Sequence, residues 1–301
     1  MKTLKDLQEE QERVIEICRF TWNMKAAAEA WSFERDIYFW YTQHRPHCKS
    51  VYIPLYWTAI WHVAHNYPGD AVAELVERIS GIYNSLDSRI TYFTIASEVH
   101  CNKQSFPKLP SFVHVYGPGY NHGEDEGITC HEIALLPFRR NTIHFNFKRD
   151  VFCSYFISGE YRCRKQLNDF LYGREGNCHK GFVVTFRLPF LLYCELLSRS
   201  TFVLAPRGTN IGVYRLYEAL QYGAIPVYIS DKYSLPYSDE VDWNSIAVLI
   251  DREDIEKIPD ILRKISAARI RRMQAYGQWF MENYVRLDKM CERIFTHVNN
   301  Q

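Results

Sequence analysis

The stretch Thr201-Phe-Val-Leu-Ala-Pro-Arg-Gly-Thr-Asn-Ile-Gly-Val-Tyr-Arg-Leu-Tyr-Glu-Ala-Leu-Gln-Tyr-Gly223, followed by Ala-Ile-Pro-Val-Tyr-Ile229, decides the fold. An apolar run, a loop with two glycines, a segment of helical spacing and a second apolar run read as buried strand, loop, helix and buried strand. In such a unit the helix N-terminus turns unpaired N–H groups and partial positive charge toward the carboxyl end of the sheet, the edge where open α/β sheets bind ligands. Gly208 and Gly212 let the backbone approach that ligand, and Arg207 and Arg215 offer guanidinium forks that match phosphate oxygens. A diphosphate fits this place. Glu218 lies three residues after Arg215 on nearly the same helix face, while Leu216 and Leu220 point elsewhere and take the core. Phosphates would repel a carboxylate there, but both hydroxyls of a ribose could donate to it. The bland alternative is an Arg215/Glu218 pair on a solvated helix, worth about a few tenths of a kcal/mol. Neither GxGxxG nor GxxxxGK[ST] occurs, which disfavours a redox dinucleotide and a P-loop nucleotidase.

Working outward, strands are expected at Val151–Ile157, Gly181–Thr185, Thr201–Ala205, Ala224–Ile229 and Ser245–Ile250, with helices including Arg187–Ser198 and Val213–Tyr222 between them. The tail from Ile255 to Val298 reads as helical, broken at Pro259 and Gly277. Toward the N-terminus, Lys5–Trp31 has helical spacing, and short β-rich runs at Val51–Ile53, Thr91–Ala96, Val113–Val115 and Ile133–Leu136 alternate with helical stretches such as Asp70–Leu86. This alternation predicts an α/β fold of two Rossmann-like domains, residues 1–148 and 149–301, facing one another across a cleft.

Composition narrows the class. A chain of 301 residues suits about two domains and needs no disulfide or metal staple to bury a core. The net charge of +1 and the 47% apolar share argue against disorder and against a polyanion-binding protein. The basic run Arg263, Lys264, Arg269, Arg271, Arg272 reads as a solvated helix face rather than a nucleic-acid contact. The N-terminus has no signal-peptide core and no stretch reaches about 18 apolar residues, so neither secretion nor a membrane span is expected. Nine cysteines, an odd number with no CxxC pair, suit free thiols in a reducing, cytoplasmic compartment. Cys130-His131 and Cys178-His179 lack the paired spacing of a zinc site.

Several of these stretches together resemble the exostosin family of glycosyltransferases. The resemblance lies in Leu204–Leu220 with Ile225-Pro-Val, then Leu235-Pro-Tyr-Ser and Asp242-Trp-Asn-Ser-Ile-Ala-Val248. Weaker echoes are Tyr52-Ile-Pro-Leu-Tyr56, Ile133-Ala-Leu-Leu-Pro137, and Phe156-Ile-Ser-Gly159 with Arg162 and Arg164. It spans roughly Tyr41 to Tyr284, strongly over Thr201–Ile250. The resemblance implies a glycosyltransferase-B arrangement and inverting transfer of a sugar from UDP to an oligosaccharide or glycoprotein glycan, forming a β-linkage. Carried over by position, Arg207 would contact the diphosphate, Arg162 would be a second basic contact and Glu218 would hold the uridine ribose. Val213 departs from the family pattern, standing where a small hydroxyl residue commonly follows the second glycine. Many relatives carry an N-terminal membrane anchor that this sequence does not show, which suits a soluble, virus-encoded or cytoplasmic member. Among donors, xylose is a weak favourite because no extra cation is dedicated to a uronate.

Single-displacement inversion needs a general base on the side opposite the nucleotide, hence in the N-terminal half. Glu98, at the carboxyl end of the Thr91–Ala96 strand, is the first candidate, with Asp70 and His62 as rivals. His65 is a further rival beside them, and His122, Glu124 and Asp125 lie in a Gly-rich loop. His62 and His65 lack the Glu of HExxH. No Asp-x-Asp is present; Glu124-Asp125-Glu126 and Asp251-Arg-Glu-Asp254 read as exposed charges, so no metal or other cofactor is expected and the arginines would stabilise the leaving group. The alternative function is a non-catalytic exostosin-like subunit that binds nucleotide or glycan in support of a partner.

Overall fold

The computed structural model describes residues 4–21, 25–57, 60, 69–96, 110, 112–117, 129–134, 145, 147–157, 159–160, 163–172, 181–208 and 211–300. The chain forms two compact units, one of Met1–Ala134 with Leu287–Gln301 and one of Leu135–Arg286. This differs from the expected division at 148/149 in one important way: the last helix returns to the first unit.

The first unit is a four-stranded parallel sheet in the order β1 (Val51–Tyr52), β2 (Tyr92–Ile95), β3 (Val113–Gly117), β4 (Thr129–Glu132). Helices α1 (Leu4–Thr21), α2 (Lys25–His44) and α3 (Asp70–Asn84) accompany it. The single helix expected over 5–31 is two described helices, the second running on to His44. Leu75 and Ile79 of α3 pack with Ile53, Tyr92 and Val113, burying the apolar stripe that marked this segment as amphipathic. The strand expected at 133–136 lies earlier. Thr129–Glu132 pairs with His114–Gly117, while Ile133 and Ala134 are buried just past the ladder.

Helix α9 (Leu287–Asn300) closes this unit through its aromatic and imidazole side chains. Phe295 stacks on Trp40 at 5.4 Å and on Tyr41 at 5.5 Å, and His297 Nδ1 hydrogen-bonds the Tyr116 hydroxyl at 2.8 Å. His114 Nδ1 and His131 Nε2 share a hydrogen bond of 2.9 Å, and the His131 ring lies 4.7 Å from that of His297. Burial, followed by the neighbouring His297 and His114, lowers the His131 pKa to about 4.

The second unit is a five-stranded parallel sheet ordered β6-β5-β7-β8-β9, comprising β5 (Val151–Phe156), β6 (Phe182–Thr185), β7 (Ser200–Pro206), β8 (Ile225–Ser230) and β9 (Val248–Asp251). The central strands β7 and β8 are buried almost throughout, as a sheet covered on both faces requires. Its crossovers are α4 (Cys163–Tyr172), α5 (Phe190–Arg199) and α6 (Tyr214–Gln221), followed by α7 (Ile258–Arg263) and α8 (Ala267–Phe280). The order reverses between β5 and β7: one crossover leads outward to β6, the next back past β5. Such a switch point opens a crevice at the carboxyl ends of the two strands.

Two expected features of the tail differ. Pro259 starts α7 rather than breaking a helix, since a first-turn proline loses no intrahelical hydrogen bond. Gly277 sits inside α8, where an added Cβ would stand 2.8 Å from Leu220 Cδ2 and 3.3 Å from Ile246 Cγ2. The glycine therefore serves the close approach of α8 to α6, and the helix continues through it.

Candidate functional site at the carboxyl edge of the second sheet

The loop between β7 and α6 is anchored before any ligand arrives. The amide of Arg207 donates to Ile229 O at 2.8 Å, extending the β7–β8 ladder, and the Tyr228 hydroxyl donates to Ile211 O at 2.8 Å. Ile211 and Val213 are buried, and Gly212 between them is half-buried. Val213 is the N-cap of α6 and makes no side-chain capping bond, so no hydroxyl occupies the first N–H groups of that helix.

Arg207 is fully buried. One arm of its guanidinium donates to Asp231, the first residue after β8, while Nε and Nη2 are buried without a hydrogen-bond partner. Buried donors are nearly always satisfied, so two on one guanidinium at a strand's carboxyl end signal a missing acceptor. Gly208, next in sequence, lies against Arg164 near the start of α4: a Cβ here would be 2.7 Å from Arg164 Nη2. Arg164 Nε reaches Pro206 O at 3.5 Å. Burial, opposed by Tyr155 and reinforced by the charge of Arg215, lowers the Arg164 pKa. Arg164 thus comes from the first turn of α4, the crossover that follows β5, Arg207 from the end of β7 and Arg215 from α6, all at the switch point.

Arg215 and Glu218 do form the i, i+3 pair, with Nε to Oε2 at 3.2 Å, yet the solvated setting of the bland reading is not what is found. The two side chains are only 21% and 15% exposed. The guanidinium lies over the rings of Phe156 at 4.6 Å and Tyr193 at 4.9 Å, and the Tyr193 hydroxyl donates to Glu218 Oε2. Burial, then the Glu218 charge, pushes the Tyr193 phenol well above its usual value, so it stays a proton donor. Nε and Nη1 of Arg215 have no partner of good hydrogen-bond geometry.

The expected site residues divide sharply. Arg207, Gly208, Gly212, Arg215 and Glu218 lie along the β7–α6 connection, whereas Arg162, Glu98 and His62 lie outside the described residues. Asp70 is exposed at the first turn of α3. Sequence reasoning placed Arg164 beside Arg162 without assigning it a role, and missed Asp231 and Tyr193. The signal for Asp231 was its position just beyond β8, and for Arg164 its position at the start of the helix that follows β5, both at the ligand edge. Among the described residues no three His, Cys, Asp or Glu side chains are grouped to hold a metal ion, and no helix is long and apolar enough to cross a membrane.

Comparison with known proteins agrees with the sequence reading over this region. Residues 142–265 match the Exostosin GT47 domain. An Exostosin-1 homolog of Caenorhabditis elegans is 36% identical over 114 residues, covering 36% of this chain and 30% of that protein. Exostosin-1 of Drosophila melanogaster is 41% identical over 92 residues, covering 31% and 12%. The match thus spans less than a third of the length of these curated relatives. Among solved structures, T4 phage β-glucosyltransferase in complex with UDP-glucose superposes with a TM-score of 0.44 at 13% identity, covering 78% of this chain and 80% of that one. The match to the family lies over the same strands and helices that build the arginine-rich edge, so residues 142–265 are similar to an exostosin GT47 domain.

Proposed function

We propose that the chain is a UDP-sugar-dependent glycosyltransferase whose donor nucleotide sits at the carboxyl edge of the second sheet. The observation that carries this reading is the convergence of Arg164, Arg207 and Arg215 at the β5/β7 switch point, with buried N–H groups of Arg207 and Arg215 that lack hydrogen-bond partners. A diphosphate supplies the missing acceptors, and its developing negative charge is stabilised by the same donors as the glycosidic bond breaks. Glu218 Oε2 is engaged by Tyr193 and Arg215, which fixes the carboxylate and leaves Oε1 for the ribose hydroxyls.

The transfer is proposed to invert the anomeric carbon in one displacement, with a base from the N-terminal half removing the acceptor proton. Glu98 leads, ahead of Asp70 and His62. The arginines stand in for a metal, so turnover needs no divalent ion. UDP-xylose is the preferred donor on the chemical ground that no further cation is set aside for a uronate, and a glycan is the acceptor. Absence of a hydroxyl at Val213 favours a second reading, a nucleotide-binding partner subunit without turnover.

The test is UDP release from a panel of UDP-sugars, with and without simple glycan acceptors, in EDTA. Acceptor-dependent release in EDTA, lowered about 10²–10⁴-fold by Glu98→Gln with UDP affinity kept, supports the reading. Tight UDP binding without release from any donor supports the partner subunit, and no UDP binding overturns both.

A further inference from the structure

Helix α5 is apolar on the face that packs and again at its exposed start. Cys194 and Leu197 are buried, and Tyr193 and Leu196 pack against the cluster of Phe156, Val203 and Ala219, so the inner face of the helix is accounted for. Leu191 and Leu192 in its first turn are nevertheless 60% and 50% exposed, and Phe186, on the short connection from β6, is 63% exposed. Phe186 and Leu191 are the two most exposed large apolar side chains among the described residues. One exposed leucine is ordinary, but three such side chains within seven residues make an apolar tip that marks an interaction surface.

The charge at this tip is of one sign. Arg187 is the only charged residue in the stretch 183–193; it is exposed and forms no ion pair among the described residues. Pro189, the N-cap of α5, makes no side-chain capping bond and the first turn holds no acidic residue, so the positive end of the helix dipole adds to the Arg187 charge. Glu195, the one acid of α5, and Asp150 are both bonded to Arg199. A second copy of the chain meeting this tip about a twofold axis would set Arg187 against Arg187 with no acid in the patch to pair them. An anionic lipid surface supplies both things the tip lacks: an apolar boundary for Phe186, Leu191 and Leu192, and phosphate oxygens for the guanidinium.

We propose that the β6–α5 tip docks the chain on an anionic lipid surface, with Phe186, Leu191 and Leu192 entering the headgroup boundary and Arg187 meeting lipid phosphate. The contact is peripheral and needs no membrane-spanning helix. It does not depend on the transferase reading, because binding is measured without a donor and without turnover.

The experiment sediments the intact chain with vesicles of phosphatidylcholine alone and of phosphatidylcholine mixed with phosphatidylserine. Binding to the mixed vesicles is expected to be about fivefold tighter, the effect of one cation near the surface, and Arg187→Gln should remove that preference. The double change Leu191→Ser/Leu192→Ser should weaken binding to the mixed vesicles about tenfold or more, with UDP affinity and thermal unfolding nearly unchanged because both side chains are exposed. Phe186→Trp should keep binding, and brominated lipid should quench its emission beyond that of the unchanged chain. No vesicle binding at millimolar lipid, binding indifferent to the double change, or no added quenching at position 186 overturns the proposal. A dimer that forms without lipid and is lost in the double variant also overturns it, in favour of a second copy of the chain.

Discussion

Two glycine–arginine contacts sit at opposite ends of the second sheet. At the carboxyl end Gly208 lies against Arg164; at the amino end Gly223, with φ +70°, lies against Arg149, and in each a Cβ would stand 2.7 Å from an Nη2. The guanidinium groups differ in what their protons meet. Arg149 donates Nη1 to Ser200 O and Nη2 to Tyr222 O, tying the starts of β7 and β8 together. Arg207, beside the other contact, keeps two buried donors without acceptors. A half-buried arginine that donates to two backbone carbonyls staples strand ends together, and a fully buried one with two donors left over is built for something else to bind.

The largest expected effect is at the staple. Arg149→Met removes donors from two backbone carbonyls and should lower unfolding free energy by about 2 kcal/mol, while UDP affinity of the folded chain is unchanged. Denaturant unfolding with parallel UDP titration checks this. Conversely, Arg164→Ala should lower UDP affinity about tenfold, one charge-assisted contact, with a much smaller change in stability. If Arg149→Met weakens UDP as much as Arg164→Ala does, the contrast between the two ends collapses.

A finer test concerns the acidic member of the arginine-rich edge. Glu218→Gln keeps the shape but removes charge from the pair with Arg215, and should weaken uridine and UDP alike by about threefold to tenfold through the ribose contact. An effect on UDP alone would move Glu218 from the ribose to the positioning of Arg215. Calorimetry with both ligands separates these.

A pH-dependent effect lies in the first unit, which presents imidazoles where the second presents guanidiniums. His131 has a folded pKa near about 4 against an ordinary 6.5, so the unfolded chain binds more protons between these values. The stability held by neutral His131 is complete above about pH 6.5, declines as pH falls, and is spent near about pH 4. Thermal unfolding should therefore shift down from pH 7.5 to pH 5, and His131→Gln should flatten that dependence. An equal pH slope in the variant would assign the titration to another group.

Sequence by itself determined the strand–loop–helix–strand unit, the ligand edge it creates, and the presence there of Arg207, Arg215 and Glu218. All of that is local: apolar runs, two glycines and helical spacing fall within one stretch, and a helix N-terminus after a parallel strand has one place to point. Tertiary structure alone decided which distant residues join them. Arg164 and Asp231 reach the site because β5 lies beside β7 and β8 on its other side, a strand order no spacing reveals. It also decided that α9 belongs to the first unit, where Phe295 and His297 find Trp40 and Tyr116, although its amphipathic pattern fits either unit. Gly277 likewise read as a helix break, and only the approach of Leu220 and Ile246 gives it another purpose. Periodicity specifies which face of an element is buried, while the partner that buries it is fixed by chain reversals and long-range packing.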